Sequence, residues 1–420
     1  MSRKKKVEKE LDFERYNERK IVLSIAYLGH GFGGLAFQRD NMNTIEESLF
    51  DALRRTKLCR FKLLPEQKLN LGKSTTQIPE GFSRCGRTDS DVSAFSNAVT
   101  LHVRSQLGPN SDEHNSLNCQ IGLKSFVRLG SRVSKSRGYS DSDEIDYIYL
   151  LNKLLPPSIR ITSWSPVQAS FDARHSCISR SYRYYFFPGE YDLDTMREAC
   201  ASFIGLHNFI NFCKKDALVT SYWRRIESFE IVQTASSNSG LHENTDMCGV
   251  AYFSVSGNAF LHHQIRYMVS LLFQIGSKRL HPSVIDKYLN SDIAIQNKEF
   301  CLASAENLCF WECKFSPNHA LSWNYSFKGR NLPDGPNQTI LAIRSEKGAE
   351  RYLGKTTQKT SIQDPVDSGF VKLFKKALIR FIVLHEMDMA IKKREEEHFL
   401  TEKSRNLSMR DVAHSSYTPL

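Results

Sequence analysis

The stretch Ile21-Val22-Leu23-Ser24-Ile25-Ala26-Tyr27 is rich in apolar and β-branched residues, and it runs into four glycines between positions 29 and 34. Such a composition predicts a buried β-strand that ends in a loop. The first core strand is therefore expected to begin near Ile21.

A helix and a second strand are predicted next along the chain. Thr44 and Glu47 have the spacing of a capping box, and apolar residues then recur at helical intervals, so a helix is expected over about 44–57. Residues 97–103 alternate apolar and polar side chains and predict a strand.

A similar series of elements recurs further along. Asp194 is expected to open one helix, and a second helix is expected from about Leu261 to Ile275. Strands are predicted at residues 181–187, 226–232 and 250–255. Two similar α+β halves, with antiparallel sheets covered by helices, are the simplest account of this order.

Composition excludes several classes of protein. The chain has 420 residues, of which 40% are hydrophobic, and no apolar run approaches the roughly 20 residues of a membrane span. The basic start, residues 1–6, leads into charged residues rather than the apolar core of a secretory signal. We therefore expect a soluble, intracellular protein without a membrane partner.

Net charge and cysteine spacing predict what the protein binds. A formal charge of +11 should attract polyanions, which makes nucleic acid a candidate partner. The cysteines contain no CxxC, and the nearest approach to metal spacing, Cys309 and Cys313, lacks a second ligand pair. Reduced thiols and no bound metal are expected.

Two regions carry no predicted chemistry. Residues 105–146 are rich in Ser, Asn, Gly and Asp, which suits a mobile surface insertion. Beyond Phe315 the pattern weakens, although a helix is predicted over about 371–397, and the charge run at its end is interpreted as a solvated helix face.

The first candidate for chemistry is the loop before the strand at 97–103, where Arg84 and Arg87 precede Asp89 and Asp91. Arginine can grip a phosphate or hold a carboxylate ionised. On the residues alone, an Arg87–Asp89 ion pair that merely staples the loop competes with a catalytic role for Asp89.

The second candidate is Arg266, which lies among apolar neighbours on the predicted helix, about 100° round from Ile265. A charge there needs a partner, and Asp89 is one candidate. The alternative is an arginine that faces solvent at the helix edge. His262 and His263 are adjacent rather than four apart, which makes a poor helical metal site.

Aromatic and basic residues interleave on the predicted strand at 181–187. They could stack a base and contact phosphate, and alternation places Tyr182 and Tyr184 on one face and Tyr185 on the other. The competing interpretation is an aromatic sheet core flanked by two surface arginines, Arg180 and Arg183.

Four separated stretches resemble motifs of the TruA-type pseudouridine synthases, and they occur in the family's order. Gly86-Arg87-Thr88-Asp89-Ser90-Asp91-Val92-Ser93-Ala94 resembles the catalytic motif, although most members carry glycine in place of Asp91. The other similar stretches are residues 27–38, 171–174 with 180–184, and 257–269, with a weaker match at 205–209.

The resemblance implies an α+β fold of two ferredoxin-like (RRM-like) halves, whose mixed, mainly antiparallel sheet has a central basic cleft. The expected divisions are a charged N-terminal tail at 1–20, an N-terminal half at 21–170, a C-terminal half at 171–315 and a C-terminal extension at 316–420. Residues 34–38, 84–87 and 308–315 look most like the eukaryotic branch that modifies uridines 38 and 39 of the tRNA anticodon arm.

The resemblance also implies roles. Asp89 is the catalytic aspartate, Arg87 helps displace the target nucleotide, Tyr182 contacts the uracil ring, and Arg266 pairs with Asp89. Because the reaction needs no redox centre or external donor, no cofactor or metal is expected. The implied partner is tRNA, a homodimer is the candidate assembly, and the nucleus or cytoplasm is the expected compartment.

Two other functions compete with this one. The first is a catalytically weak or inactive RNA-binding or chaperone protein on the same fold, an alternative that the unusual Asp91 keeps open. The second is a metal-dependent nuclease using Asp89 and Asp91, which would need further clustered carboxylates or histidines that the sequence does not display.

Overall fold

The computed structural model describes residues 11–63, 77–106, 144–189, 191–233 and 249–324. The described residues all lie within one compact unit, Met1–Ser326. Most of the predicted insertion and the whole helix predicted at 371–397 lie outside the described residues. Within the described ranges, no helix is both long and apolar enough to cross a bilayer.

Strands dominate the described part of the chain. They are β1 Asn17–Tyr27, β2 Phe61–Leu63, β3 Gln77–Pro79, β4 Ser83–Arg84, β5 Ser93–Ser105, β6 Ile159–Pro166, β7 Cys177–Phe186, β8 Gly205–Asn208, β9 Trp223–Gln233, β10 Ala251–Gly257 and β11 Leu308–Phe315. The helices are α1 Ile45–Thr56, α2 Tyr147–Asn152, α3 Leu193–Ala201, α4 Gln264–Gly276 and α5 Val284–Leu289.

One large sheet contains two copies of the same topology. Its strand order is β6-β1-β5-β11-β7-β10-β9-β8, and β4 also pairs with β5. The first copy runs β1-α1-β4-β5-α2-β6, and the second runs β7-α3-β9-β10-α4-β11. If the four strands of each copy are numbered in chain order, their order across the sheet is 4-1-3-2 in both copies. This is the ferredoxin-like arrangement. The predicted α+β fold of two such halves is confirmed.

The first predicted strand is longer than its sequence pattern indicated. β1 begins at Asn17 and pairs with β5 on one side and β6 on the other, so its residues from Ile21 to Tyr27 are all buried. Flanking strands and buried faces explain why this stretch is an almost continuous apolar run rather than an alternating one.

Helix starts follow their caps. Thr44 accepts a hydrogen bond from the Glu47 amide at 3.2 Å, as the capping box predicted. The prediction for α3 was wrong by two residues, because Asp192 rather than Asp194 accepts from the Thr195 amide and caps the helix. α4 begins at Gln264, three residues later than predicted, because His263 has the left-handed φ of +66°, which cannot continue a right-handed helix.

The two halves meet along one edge of β5. β11 pairs in parallel with Ser93 and Ala94 at the start of β5, whereas β4 pairs with Val99 and Thr100 further along the same strand. The loop that joins β4 to β5 therefore lies beside β11, the strand of the second half that adjoins the first half. We call this place the junction, and it positions the candidate site.

Candidate active site

Asp89 lies in the loop at the junction and faces the start of α4. Its Oδ2 accepts a hydrogen bond from Nη1 of Arg266 at 3.1 Å. Nε2 of His263 lies 3.3 Å from the same oxygen, and Nε2 of His262 lies 3.3 Å from Oδ1. The Asp89 side chain is 24% exposed, so the carboxylate is held by three side chains of the other half and still reaches solvent.

Arg266 is fixed from two directions. Its Nε donates to the carbonyl oxygen of Ala303 at 2.8 Å, and only 12% of its side chain is exposed. Ile265 and Met268 on the same helix are buried in the core, which sets the rotation of α4. The geometry places Arg266 on Asp89 rather than on the solvent-facing helix edge.

His262 and His263 were not identified as site residues from the sequence. They precede α4, and the left-handed backbone at His263 brings their ring centroids to 4.0 Å, so helical spacing does not apply to them. Burial lowers the pKa of His263 to about 4, even though Asp89 opposes the shift. His263 is therefore neutral at neutral pH.

Residues of β1 and β5 hold the Asp89 loop by hydrogen bonds. The Thr88 hydroxyl shares a 2.8 Å hydrogen bond with the Tyr27 hydroxyl, and Asn97 donates to both Tyr27 and the Gly86 carbonyl oxygen, at 3.2 and 3.0 Å. All three hydrogen bonds are buried or partly buried. Because hydrogen bonds are stronger away from water, they fix the position of the loop. Neither Tyr27 nor Asn97 gave a signal of this kind in the sequence.

The glycine-rich motif after β1 packs directly against this loop. Gly34 has a φ of +100°, and a Cβ there would lie 2.7 Å from the Thr88 carbonyl oxygen. That same oxygen accepts a hydrogen bond from the Leu35 amide at 3.2 Å. Only glycine permits this approach, so the first motif serves to support the Asp89 loop.

Asp91 occupies a position that suits glycine. Its φ is +65°, in the left-handed region. Its Oδ1 accepts a hydrogen bond from the Gly31 amide at 3.0 Å and lies 3.4 Å from Nδ1 of His30. The carboxylate is thus engaged with the glycine-rich loop, and the position explains both why glycine is usual there and how aspartate is accommodated.

The two arginines that flank the loop have different surroundings. Arg87 is exposed and makes no hydrogen bond or ion pair within the part of the chain that the structure describes, so the Arg87–Asp89 staple is not formed there. Arg84 instead contacts Glu46, with Nε and Oε1 2.5 Å apart. Burial raises the pKa of Glu46, and Arg84 opposes that rise.

Tyr182 forms the aromatic wall beside the loop. It is 8% exposed and makes edge contacts with Phe260 and Phe310, at centroid distances of 5.1 and 4.9 Å. Phe310 also lies close to Gly86, where a Cβ would be 2.9 Å from its ring. Burial raises the pKa of the Tyr182 hydroxyl, which keeps it protonated.

The predicted alternation along β7 is confirmed, but its arginines differ from both interpretations. Arg180 is buried and donates to the carbonyl oxygens of Cys85, Arg174 and Asn258, at distances of 2.6 to 3.3 Å, so it ties three loops together. Arg183 lies on the other face, over the Trp311 ring at 3.5 Å. Arg180 is therefore a buried structural arginine, whereas Arg183 is partly exposed and stacked on an aromatic ring.

The stretch at 171–174, one of those that resemble the family, forms a turn that contacts β4. Asp172 accepts hydrogen bonds from the amides of Arg174 and His175, at 2.8 and 3.0 Å, which closes a tight turn. The Ala173 amide donates to Ser83 on β4 at 2.9 Å. The weaker match at 205–209 forms β8 at the end of the sheet order.

The assembled group has definite chemical abilities. An accessible carboxylate paired with a guanidinium can act as a nucleophile or as a general base. An aromatic side chain beside it can contact a planar ring, and an exposed arginine can reach a phosphate. Asp89, the predicted catalytic residue, and Arg266, which was expected to pair with it, contact each other across 177 positions of sequence.

Comparisons with known proteins find relatives of one kind. A family model described as tRNA pseudouridine synthase matches residues 199–316. A Bos taurus protein named tRNA pseudouridine(38/39) synthase is 35% identical over 322 residues, which cover 76% of this chain and 60% of that protein. The chain therefore spans about 60% of the length of this relative.

Two more distant relatives carry similar names. A Saccharomyces cerevisiae tRNA pseudouridine(38/39) synthase is 32% identical over 319 residues, with 75% of this chain and 61% of the relative covered. A Bacillus pumilus protein named tRNA pseudouridine synthase A is 31% identical over 182 residues, covering 39% of this chain and 67% of the relative.

Proposed function

This chain belongs to the tRNA pseudouridine synthase family, and from that premise we propose that it isomerises uridine to pseudouridine in the anticodon arm of tRNA, with Asp89 as the catalytic carboxylate. One observation carries the proposal. The Asp89 carboxylate, 24% exposed, is held by Arg266 of the other ferredoxin-like half at 3.1 Å. The pair joins the motif at 86–94 to the motif at 257–269.

The reaction breaks the N1–C1′ bond of uridine, turns the detached uracil and rejoins it to the ribose through C5. C5 then loses its proton and N1 gains one, so the product is an isomer of the substrate and no electron is exchanged with an outside donor. A carboxylate can attack the sugar, as in retaining glycosidases, add to the ring, or remove a proton from the sugar. Each route uses the Asp89 carboxylate, which Arg266 holds by a hydrogen bond of 3.1 Å.

A uridine stacked in an RNA helix cannot present its glycosidic bond to Asp89 until it leaves the stack. Arg87 is exposed beside Asp89 in the same loop, and we assign it to displacing the target nucleotide. Tyr182 forms an aromatic wall between Phe260 and Phe310, and we assign it to contacting the uracil ring once the nucleotide has been flipped out.

The names of the bovine and yeast relatives support positions 38 and 39 as the target. We place the catalytic unit in the halves expected at 21–170 and 171–315, and we propose a homodimer as the assembly. With tRNA as its substrate, the protein is expected to act in the nucleus, the cytoplasm or both.

The test is conversion of a tRNA transcript that carries uridine at positions 38 and 39, in a buffer with chelator and no cofactor, followed by chemical mapping of pseudouridine. Wild-type protein should modify one or both positions. Asp89→Ala and Asp89→Asn should bind the transcript with wild-type affinity and form no pseudouridine, because they keep the loop and remove the carboxylate.

Asp91→Asn is the matched control, since it alters the neighbouring acid of the same loop and should retain turnover. Persistent turnover by either Asp89 variant would refute the catalytic assignment. Binding without conversion by the wild type would select the inactive RNA-binding alternative, and cleavage of the transcript would select a nuclease. Modification at other positions alone would overturn the choice of branch.

A further inference from the structure

Two histidines to which the proposed isomerisation assigns no step lie beside Asp89 and form with it a group of possible metal ligands. Asp89, His262 and His263 each offer one ligand atom, and these atoms all lie within 4.8 Å of one another. Among the described residues, this is the group of three or more such side chains that could hold a metal ion. We propose that it binds a divalent transition-metal ion, Zn²⁺ foremost, and that the bound ion inhibits the enzyme.

The donor set and its spacing suit zinc. Two imidazoles and one carboxylate are ligands that Zn²⁺ accepts in proteins, with a water in the fourth position. Metal–ligand bonds of about 2.0–2.1 Å in a tetrahedron place neighbouring ligand atoms about 3.3 Å apart. His262 Nε2 lies 3.3 Å from Oδ1 of Asp89, His263 Nε2 lies 3.3 Å from Oδ2, and the three ligand atoms lie within 4.8 Å of one another, so small side-chain rotations would bring them around one ion.

The backbone arranges the two histidines for a shared ion. Adjacent residues within a helix would point about 100° apart, but His262 precedes α4 and His263 has a φ of +66°. Their rings consequently lie with centroids 4.0 Å apart and both face Asp89. His262 is 45% exposed, which provides an approach from solvent.

Arg266 limits how tightly the ion can bind. Its Nη1 lies 3.1 Å from Oδ2 of Asp89, and its Nε is tied to the Ala303 carbonyl oxygen, so the positive charge stays beside the carboxylate. Repulsion between this charge and the ion weakens binding relative to a closed structural zinc site. A reversible inhibitor, rather than a permanent component of the fold, follows from that balance.

The inhibitory part of the inference rests on the proposed function, whereas the metal site does not. An ion on Asp89 withdraws the carboxylate lone pair that attack or proton removal requires. Substrate and zinc should therefore compete for the enzyme.

The first experiment measures metal binding alone, by titrating the purified full chain with Zn²⁺ in a calorimeter, with Co²⁺ absorption as a second probe of the ligand geometry. The variant is His262→Gln, and the matched control is His281→Gln, an exposed histidine that contacts Ser283. Both variants keep every cysteine, so thiol-bound zinc contributes equally.

We expect His262→Gln to weaken the site by about tenfold or more, on the scale at which even outer partners of metal ligands act, and His281→Gln to leave it unchanged. The second experiment measures pseudouridine formation with and without Zn²⁺, and each variant is compared with its own rate in chelator. Zinc should slow the wild type and the control, and should slow His262→Gln far less.

The outcomes are separable. Equal zinc affinity in the two variants would overturn the metal site. Zinc binding that depends on His262 but leaves the rate unchanged, or that produces cleavage of the tRNA, would overturn inhibition. A wild-type protein that forms no pseudouridine in chelator would sink the proposed function, while the calorimetric result would still decide the metal site.

Discussion

At the scale of single residues, Asp91 shows how one position can meet two demands. Its backbone has a φ of +65°, which glycine adopts freely and which costs most other residues about 1–2 kcal/mol. Its side chain compensates by accepting the Gly31 amide at 3.0 Å. The unusual residue is therefore held by the loop that its neighbours build, away from the partners of Asp89.

A pair of substitutions separates the two effects at Asp91. Asp91→Gly loses the hydrogen bond but relaxes the backbone, whereas Asp91→Ala loses the bond and keeps the strain. We expect Asp91→Ala to have a free energy of unfolding lower than that of Asp91→Gly by about 1 kcal/mol. Urea denaturation of the two variants measures the difference, and equal stability would contradict a strained Asp91.

At the scale of secondary-structure elements, the ends of β1 and β5 are joined by one buried carboxylate. Glu144 accepts a hydrogen bond from Arg19 of β1 at 2.7 Å and another from the Ser105 hydroxyl of β5 at 2.6 Å. Burial alone would raise the pKa of Glu144, but these bonds and those from the Gln106 and Ile145 amides outweigh it and lower the pKa.

This shift predicts a pH dependence with a definite sign. Because the pKa of Glu144 is lower in the folded chain than its ordinary value of 4.5, its contribution to stability is complete above that value and is lost as the pH falls through the folded-state pKa. Glu144→Gln should lower the free energy of unfolding at neutral pH by about 1.5–3 kcal/mol, because the hydrogen bonds from Arg19, Ser105 and two backbone amides lose their charged acceptor.

Urea denaturation at neutral pH and below about pH 4 tests the prediction, since the gap between wild type and Glu144→Gln should narrow in acid. Glu14→Gln is the control, because Glu14 is 65% exposed where it pairs with Arg60 and exposed pairs contribute about 0–1 kcal/mol. A gap that stays constant with pH would show that the carboxylate of Glu144 is not the source.

At the scale of the whole molecule, the candidate site exists only where the two halves meet. Asp89 comes from the loop before β5, whereas Tyr182 and Arg266 come from β7 and α4 of the second half. β11 closes the arrangement by pairing with both β5 and β7. We therefore expect neither half to catalyse the reaction alone.

The net charge of +11 leads to a prediction about tRNA affinity. Each phosphate neutralised by the protein releases counterions, so the logarithm of the affinity should fall linearly with the logarithm of the salt concentration. Arg87→Gln should make that slope shallower by about 0.7 to 1. The control Arg197→Gln removes an arginine that contacts Asp194 at 2.7 Å, and it should leave the slope unchanged.

Filter binding of a tRNA transcript across a salt series measures both slopes. The two variants lose the same formal charge, so a difference between them reports the position of the arginine rather than the total charge. Identical slopes for wild type and Arg87→Gln would remove Arg87 from the phosphate contacts.

Features that depend on near neighbours could be predicted from the amino-acid sequence. The apolar run from Ile21, the Thr44 cap and the alternation of Tyr182, Tyr184 and Tyr185 were all readable, because strand burial, capping and side-chain direction are set within a few residues. The resemblance to family motifs added the prediction of two ferredoxin-like halves and of Asp89 as the catalytic residue.

Most of the side chains around the carboxylate could not be predicted from local patterns. The family motifs implied the pairing of Arg266 with Asp89, but no periodicity reports a contact across 177 positions. The approach of His262 and His263 depended on a left-handed residue that delays the start of α4, and the burial of Arg180 depended on three loops meeting. Such contacts arise from how the two halves pack at the junction, which local sequence patterns do not encode.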